Sequence, residues 1–151
     1  MIHTESVGVP TTRIGHVLDD HGDLRRETAE LLVLAEHGRE LDRPLRQALF
    51  ERLGRLRERL RLHFGLESEG GFLAEVVSGR PGLHVRVRRL EREHEVIMQE
   101  SAAVLELLVS SPPPRSTLGR LVRLVEALHV HEHAENDLIH EALTVDLGGG
   151  G

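Results

Sequence analysis

Cysteine, tryptophan and tyrosine are all missing from this chain, and phenylalanine occurs only three times in 151 residues. Without cysteine there is no disulfide, no thiolate zinc site and no iron–sulfur ligation, so any metal must be held by nitrogen and oxygen. Aromatics at 2% are too few for a β-sandwich core, whereas a helical bundle can be filled with leucine and valine alone. No apolar run approaches membrane-spanning length. Met1 to Pro10 also lacks the basic-then-apolar form of a signal peptide, so the expectation is a cytoplasmic protein with no membrane partner. Positive charge is short as well. A net charge of −6 argues against nucleic acid as a partner.

What is present is a hydrophobic content of 39% and eleven histidines. The length suits one domain with a core able to fold alone. Residues 1–11 hold Gly8 and Pro10 without periodicity and read as a flexible arm. Residues 12–143 carry helical periodicity throughout, and 144–151 form a glycine-rich tail. The first helix is expected from Thr12 to His37, stopped by Gly38. Asp42 followed by Pro44 is a helix start. That second helix should weaken near Gly65 and Gly70-Gly71, then resume through FLAEVV to about Ser78. Gly79-Arg80-Pro81-Gly82 is a turn. A third helix runs to about Ser110, three prolines form a connector that no helix crosses, and a fourth starts near Ser116. Short turns between long helices predict an all-α, antiparallel up-down four-helix bundle.

Each helix carries a leucine-rich stripe at about 100° per residue, and each stripe is interrupted by a histidine. Ile14, Val17, His21, Leu24, Thr28, Leu31 or Leu32, and Ala35 align on the first. Leu45, Leu49, Leu53, Leu56, Leu60, His63 and Glu67 align on the second. The third gives Leu83, Val87, Leu90, His94, Ile97, Ser101, Val104 and Leu108. The fourth gives Leu121, Leu124, Leu128, His131, Glu135, Leu138 and Ala142, with His129 and His133 about 200° away and expected in water. A charge buried without a partner costs several kcal/mol, and a metal ion is the simplest partner. His21, His63, His94 and His131 lie at similar distances from the intervening turns, within about one helical turn of a common height. One histidine on an apolar stripe is ordinary; four helices contributing at one height, two with a glutamate four residues on, is not. Four imidazoles and two carboxylates exceed the needs of one tetrahedral ion. They suit two metals bridged by Glu67 and Glu135, with iron favoured over manganese or zinc.

These segments resemble the hemerythrin-type (HHE cation-binding) domain. HFGLESEGGFL is similar to the family's His-x-x-x-Glu segment, REHEVIM to its Glu-His segment, HEHAENDLIHEAL to its C-terminal His-x-x-x-Glu segment, and HGDLRRE to its first histidine helix. The resemblance covers roughly residues 12 to 143. It implies a non-haem di-iron centre with terminal histidines and two bridging carboxylates, reactive toward O2, H2O2 or NO. Carried over by position, the metal ligands are His21, His63, Glu67, His94, His131 and Glu135. Reversible oxygen carriers of the family have a fifth histidine, four residues from the other on the third helix. Leu90 and Met98 stand at that spacing from His94 here, which leaves one iron an open position. The set of four histidines and two glutamates looks more like the metal domain of repair-of-iron-centres proteins.

The expected function is binding or reduction of a small oxidant (O2, H2O2 or NO) at a dinuclear centre, with an unknown electron donor and a monomer or homodimer as the assembly. Glu93, Asp20 and Glu69 are candidates to orient the histidines from outside. Without Tyr or Trp there is no aromatic relay for a radical, which disfavours fast oxygenase-type chemistry. The alternative is a non-enzymatic role in iron or oxygen sensing, iron storage or metal-stabilised interaction. Arg46, Arg52, Arg55, Arg57, Arg59 and Arg61 on the second helix read as a solvated face paired with acidic neighbours.

Overall fold

The computed structural model describes residues 4–37, 40–68 and 71–148, with side chains described between residues 15 and 144. Five α-helices follow one another: α1 (Thr4–His37), α2 (Arg43–Ser68), α3 (Phe72–Gly79), α4 (His84–Leu108) and α5 (Thr117–Gly148), with a 3-10 turn at Pro81–Leu83. Among the described residues there is no strand. The four long helices pack around a square. α1 lies against α2 and α5, and α4 lies against α2 and α5. This is the expected antiparallel bundle.

Local signals account for the helix ends. The Asp42 carboxylate accepts a hydrogen bond from the Leu45 amide at 2.9 Å, and its carbonyl accepts one from Arg46 at 2.9 Å, which starts α2. α2 stops at Ser68, and the chain turns before resuming as α3. Gly71 permits the close approach of the chain to the last turn of α2, because a Cβ there would overlap the Leu66 carbonyl. At the chain's start α1 takes in residues 4–11, so the helix begins ahead of Thr12, and α5 continues beyond residue 143 to Gly148. Gly8 and Pro10 lower helix propensity without deciding the outcome, since propensity is a weak term beside the rest of a long helix. The expected stop at Gly38 lies outside the described residues.

The stripes point inward as the periodicity requires. Val17, His21, Leu24, Thr28, Leu31 and Ala35 of α1 are buried, as are Leu49, Leu53, Leu56, Leu60, His63 and Glu67 of α2. So are Val87, Leu90, His94, Ile97, Ser101, Val104 and Leu108 of α4. The apolar core is divided in two. One cluster, including Leu31, Leu53, Val104 and Leu121, fills one part of the bundle; a second, including Val17, Leu73, Leu90 and Leu138, fills another with α3 packed into it. The inward histidines and glutamates belong to neither.

The arginine face of α2 is largely paired. Arg52 bonds Glu30 at 2.9 Å, Arg59 pairs with Glu27 and Asp23, and Arg61 with Glu58. Arg57 donates to the Ser101 hydroxyl at 3.0 Å, and Arg46 to the Ser110 carbonyl at 3.0 Å.

Candidate metal centre

The structure brings all six predicted site residues together, and none is more than 5% exposed. His63 Nε2 lies 3.2 Å from Glu67 Oε1, and His131 Nε2 lies 3.0 Å from Glu135 Oε1, one helical turn apart in each case. Cross-bundle distances join these pairs. Glu67 Oε1 is 3.5 Å from His94 Nε2, and Glu135 Oε1 is 3.5 Å from His21 Nε2. Longer approaches of 3.8 Å (His94 to Glu135) and 3.9 Å (His21 to Glu67) complete the layer. Each glutamate therefore faces histidines of both halves.

Eight atoms of this layer, the four Nε2 and all four carboxylate oxygens, are buried without a hydrogen-bond partner. Buried polar atoms are nearly always satisfied, so eight orphans in one place point to something that satisfies them together. Donors bound to one ion at about 2.1 Å sit roughly 3–3.5 Å from each other. Most of the spacings above match. Two groups could each hold a metal ion: His21, His63, Glu67 and Glu135, and His94, His131 and Glu135.

The outward nitrogens are all occupied, in a closed ring. Asp20 of α1 accepts from His63 Nδ1 of α2 at 3.2 Å, and Ser68 of α2 from His94 Nδ1 of α4 at 3.3 Å. Glu93 of α4 accepts from His131 Nδ1 of α5 at 2.8 Å, and Asn136 of α5 from His21 Nδ1 of α1 at 2.8 Å. A proton held on Nδ1 leaves the Nε2 lone pair aimed inward, which is the tautomer a ligand needs. Phe64 stacks flat on His94, centroids 3.9 Å apart and planes within 8°.

Asp20 and Glu93 were legible from sequence; Glu69 lies outside the described residues. Ser68 and Asn136 were missed, although each directly follows one of the two glutamates. His133 is exposed as expected, but His129 is not a free surface histidine. Its Nε2 is 2.8 Å from the Thr28 hydroxyl, because the α5 flank that carries it packs on α1. The same flank buries Glu132, which sequence reasoning also missed.

Charge in the layer is unevenly held. Burial, then the neighbouring Glu135 carboxylate, pushes Glu67 well above the usual carboxylate range. Burial also works against the Glu135 charge, but Glu67, His131, His21 and His94 together hold it well below that range. Burial lowers His63. It acts the same way on His21 and His131, but Glu135, joined by Asn136 at His21 and by Glu93 at His131, outweighs it and both end raised. Burial lifts Glu132 to about 7.

Residues 12–143 match the hemerythrin HHE cation-binding domain. The chain belongs to that family. No curated protein and no solved structure matches the chain. HHE domains bind metal cations, and the histidine/glutamate layer of this one fits a metal site.

Proposed function

We propose that this HHE domain is a non-haem di-iron protein that binds or reduces a small oxidant (O2, H2O2 or NO), with His21, His63, Glu67, His94, His131 and Glu135 as the metal ligands. The observation that carries the reading is the set of eight convergent, unsatisfied donor atoms. A tetrahedral ion takes four donors and an octahedral one six, so eight suit two ions that share the carboxylates. Glu135, common to both groups, and Glu67, facing His63 and His94, would be the carboxylates the two ions share.

Iron in this layer would supply electrons and a coordination position to a small molecule. The protein's own contribution is orientation and dryness. Asn136, Asp20, Ser68 and Glu93 fix the tautomers, and apolar clusters flank the layer. The second group has only His94, His131 and Glu135, and Leu90 and Met98 stand at the spacing from His94 where the family's oxygen carriers have a further histidine. That half is where an oxidant binds. An external electron donor and a cytoplasmic setting complete the proposal.

Metal content per chain and the visible spectrum test this directly, recorded before and after dithionite and again after peroxide. About two irons, with an absorption that bleaches on reduction and returns with the oxidant, is the expected result. One zinc, or no spectrum after reconstitution with iron, would replace this function with a metal-stabilised interaction module.

A further inference from the structure

The face between α1 and α5 is built as a ladder with one rung open. Thr28 bonds His129 at 2.8 Å, and His21 bonds Asn136 at 2.8 Å. Midway along both helices stand Arg25 and Glu132, which do not bond each other among the described residues. A cleft of about 380 Å3 opens there, lined by Arg25, His129, Glu132 and His133. Glu132 is only 2% exposed, yet its Oε1 has no hydrogen-bond partner. It follows His131 directly in the chain and lies one helical turn from Asn136, the partner of His21. A buried carboxylate that lines a surface cleft and adjoins a ligand of the layer stands between the two. Nothing in the fold uses it.

We propose that this cleft is the port through which a divalent cation is loaded, with Glu132 as the capturing carboxylate that passes the ion inward toward His21 and Glu135. The inference rests on the layer holding metal, but it assigns a separate site and step. His129, whose Nε2 is held by Thr28, and exposed His133, whose Nε2 lies 3.8 Å from Asp137, line the same cleft one helical turn apart. Arg25 stands at the mouth, exposed and without a hydrogen bond or ion pair from its guanidinium among the described residues. Its positive charge opposes an incoming cation, so it restrains loading. A second opening near the centre lies between α1 and α2, beside Asp20, Arg59, Leu62 and His63. Asp20 there is bonded to His63 through Oδ2.

Cobalt(II) is a suitable probe, since nitrogen and oxygen coordination gives it visible absorption without redox chemistry. The metal-free protein is mixed with cobalt(II) at low ionic strength and the absorbance rise is followed by stopped flow. Glu132→Gln should load roughly tenfold more slowly and still reach the wild-type end point, because it removes the one carboxylate that steers a cation into the cleft, and such steering changes on-rates by factors of about ten or more. Arg25→Ala should load faster. Arg59→Ala, at the other opening, should leave the rate unchanged. An unchanged rate in Glu132→Gln overturns the port. So does a lower end point in that variant, which would make Glu132 a ligand of the centre. Slower loading in Arg25→Ala would overturn the restraint assigned to Arg25, and faster loading in Arg59→Ala would place the inlet between α1 and α2. The wild-type end point is read separately: a value other than two metals per chain counts against the dinuclear centre, while the port is decided by the rates and by the end point of Glu132→Gln relative to wild type.

Discussion

Removing the metal should loosen this protein far more than it would a bundle with an apolar centre. Eight buried donor atoms in the layer have no partner of their own. Each unsatisfied buried polar atom costs about 1–3 kcal/mol, so the layer places about 8–24 kcal/mol against folding. A domain's whole stability is about 5–15 kcal/mol. Water admitted to the layer, and a proton retained by Glu67, offset part of that cost. If half of the low figure remains, about 4 kcal/mol separates chelated from loaded protein. At 2–4 °C per kcal/mol for chains near this size, Tm should fall by about 8–16 °C. Scanning calorimetry on chelated and reloaded protein measures the difference. A companion variant with leucine at the four histidines and methionine at Glu67 and Glu135 should fold without metal and melt above the chelated wild type, since apolar replacement of a buried charged cluster is often stabilising. A chelated Tm within about 3 °C of the loaded one would refute the reasoning.

Three further outcomes follow from the same geometry. Glu135→Ala should take the metal content well below two, because Glu135 serves both groups, while exposed His140→Ala leaves it unchanged; elemental analysis decides, and equal loss in both would undo the assignment. Glu93→Ala should weaken metal affinity by about 10–100-fold in a competitive chelator titration, and Ser68→Ala by less, since the Glu93 bond is 2.8 Å and the Ser68 bond 3.3 Å. The metal-free protein should be less stable at pH 8 than at pH 5.5. Glu132 ionises near 4.5 when unfolded and about 7 when folded, so the folded chain binds more protons between those values and its stability falls as pH rises through them. Glu132→Gln should flatten that dependence by at most about 3 kcal/mol in denaturant melts. The raised His21 and His131 act in the same sense, and the lowered His63 opposes them.

The stripes made the inward set readable because a helix repeats its buried face at fixed intervals, and a histidine among leucines stands out against that repeat. His21, His63, His94 and His131 could be placed at one height because the turns between helices are short. Glu132 could not be found this way. It sits one residue past His131, on the flank of the stripe, and whether a flank is wet depends on how closely the neighbouring helix approaches. The same holds for His129, whose partner Thr28 is 101 residues away in sequence. Ser68 and Asn136 are polar residues of ordinary type. Only their position beside Glu67 and Glu135, together with knowledge of which helix lies alongside, gives them a role.

The ring of outer hydrogen bonds also bears on which bundle the chain makes. Four helices joined in sequence can be wound around the square clockwise or anticlockwise, and inward stripes are satisfied equally well by either. The ring is not. Asp20 reaches the histidine of α2, Ser68 that of α4, Glu93 that of α5, and Asn136 closes back onto α1. In the oppositely wound bundle each of these side chains would lie on the far flank of its helix, turned from the imidazole it now holds. Four polar residues at the edges of the stripes thus select one handedness from two that the hydrophobic core alone leaves degenerate.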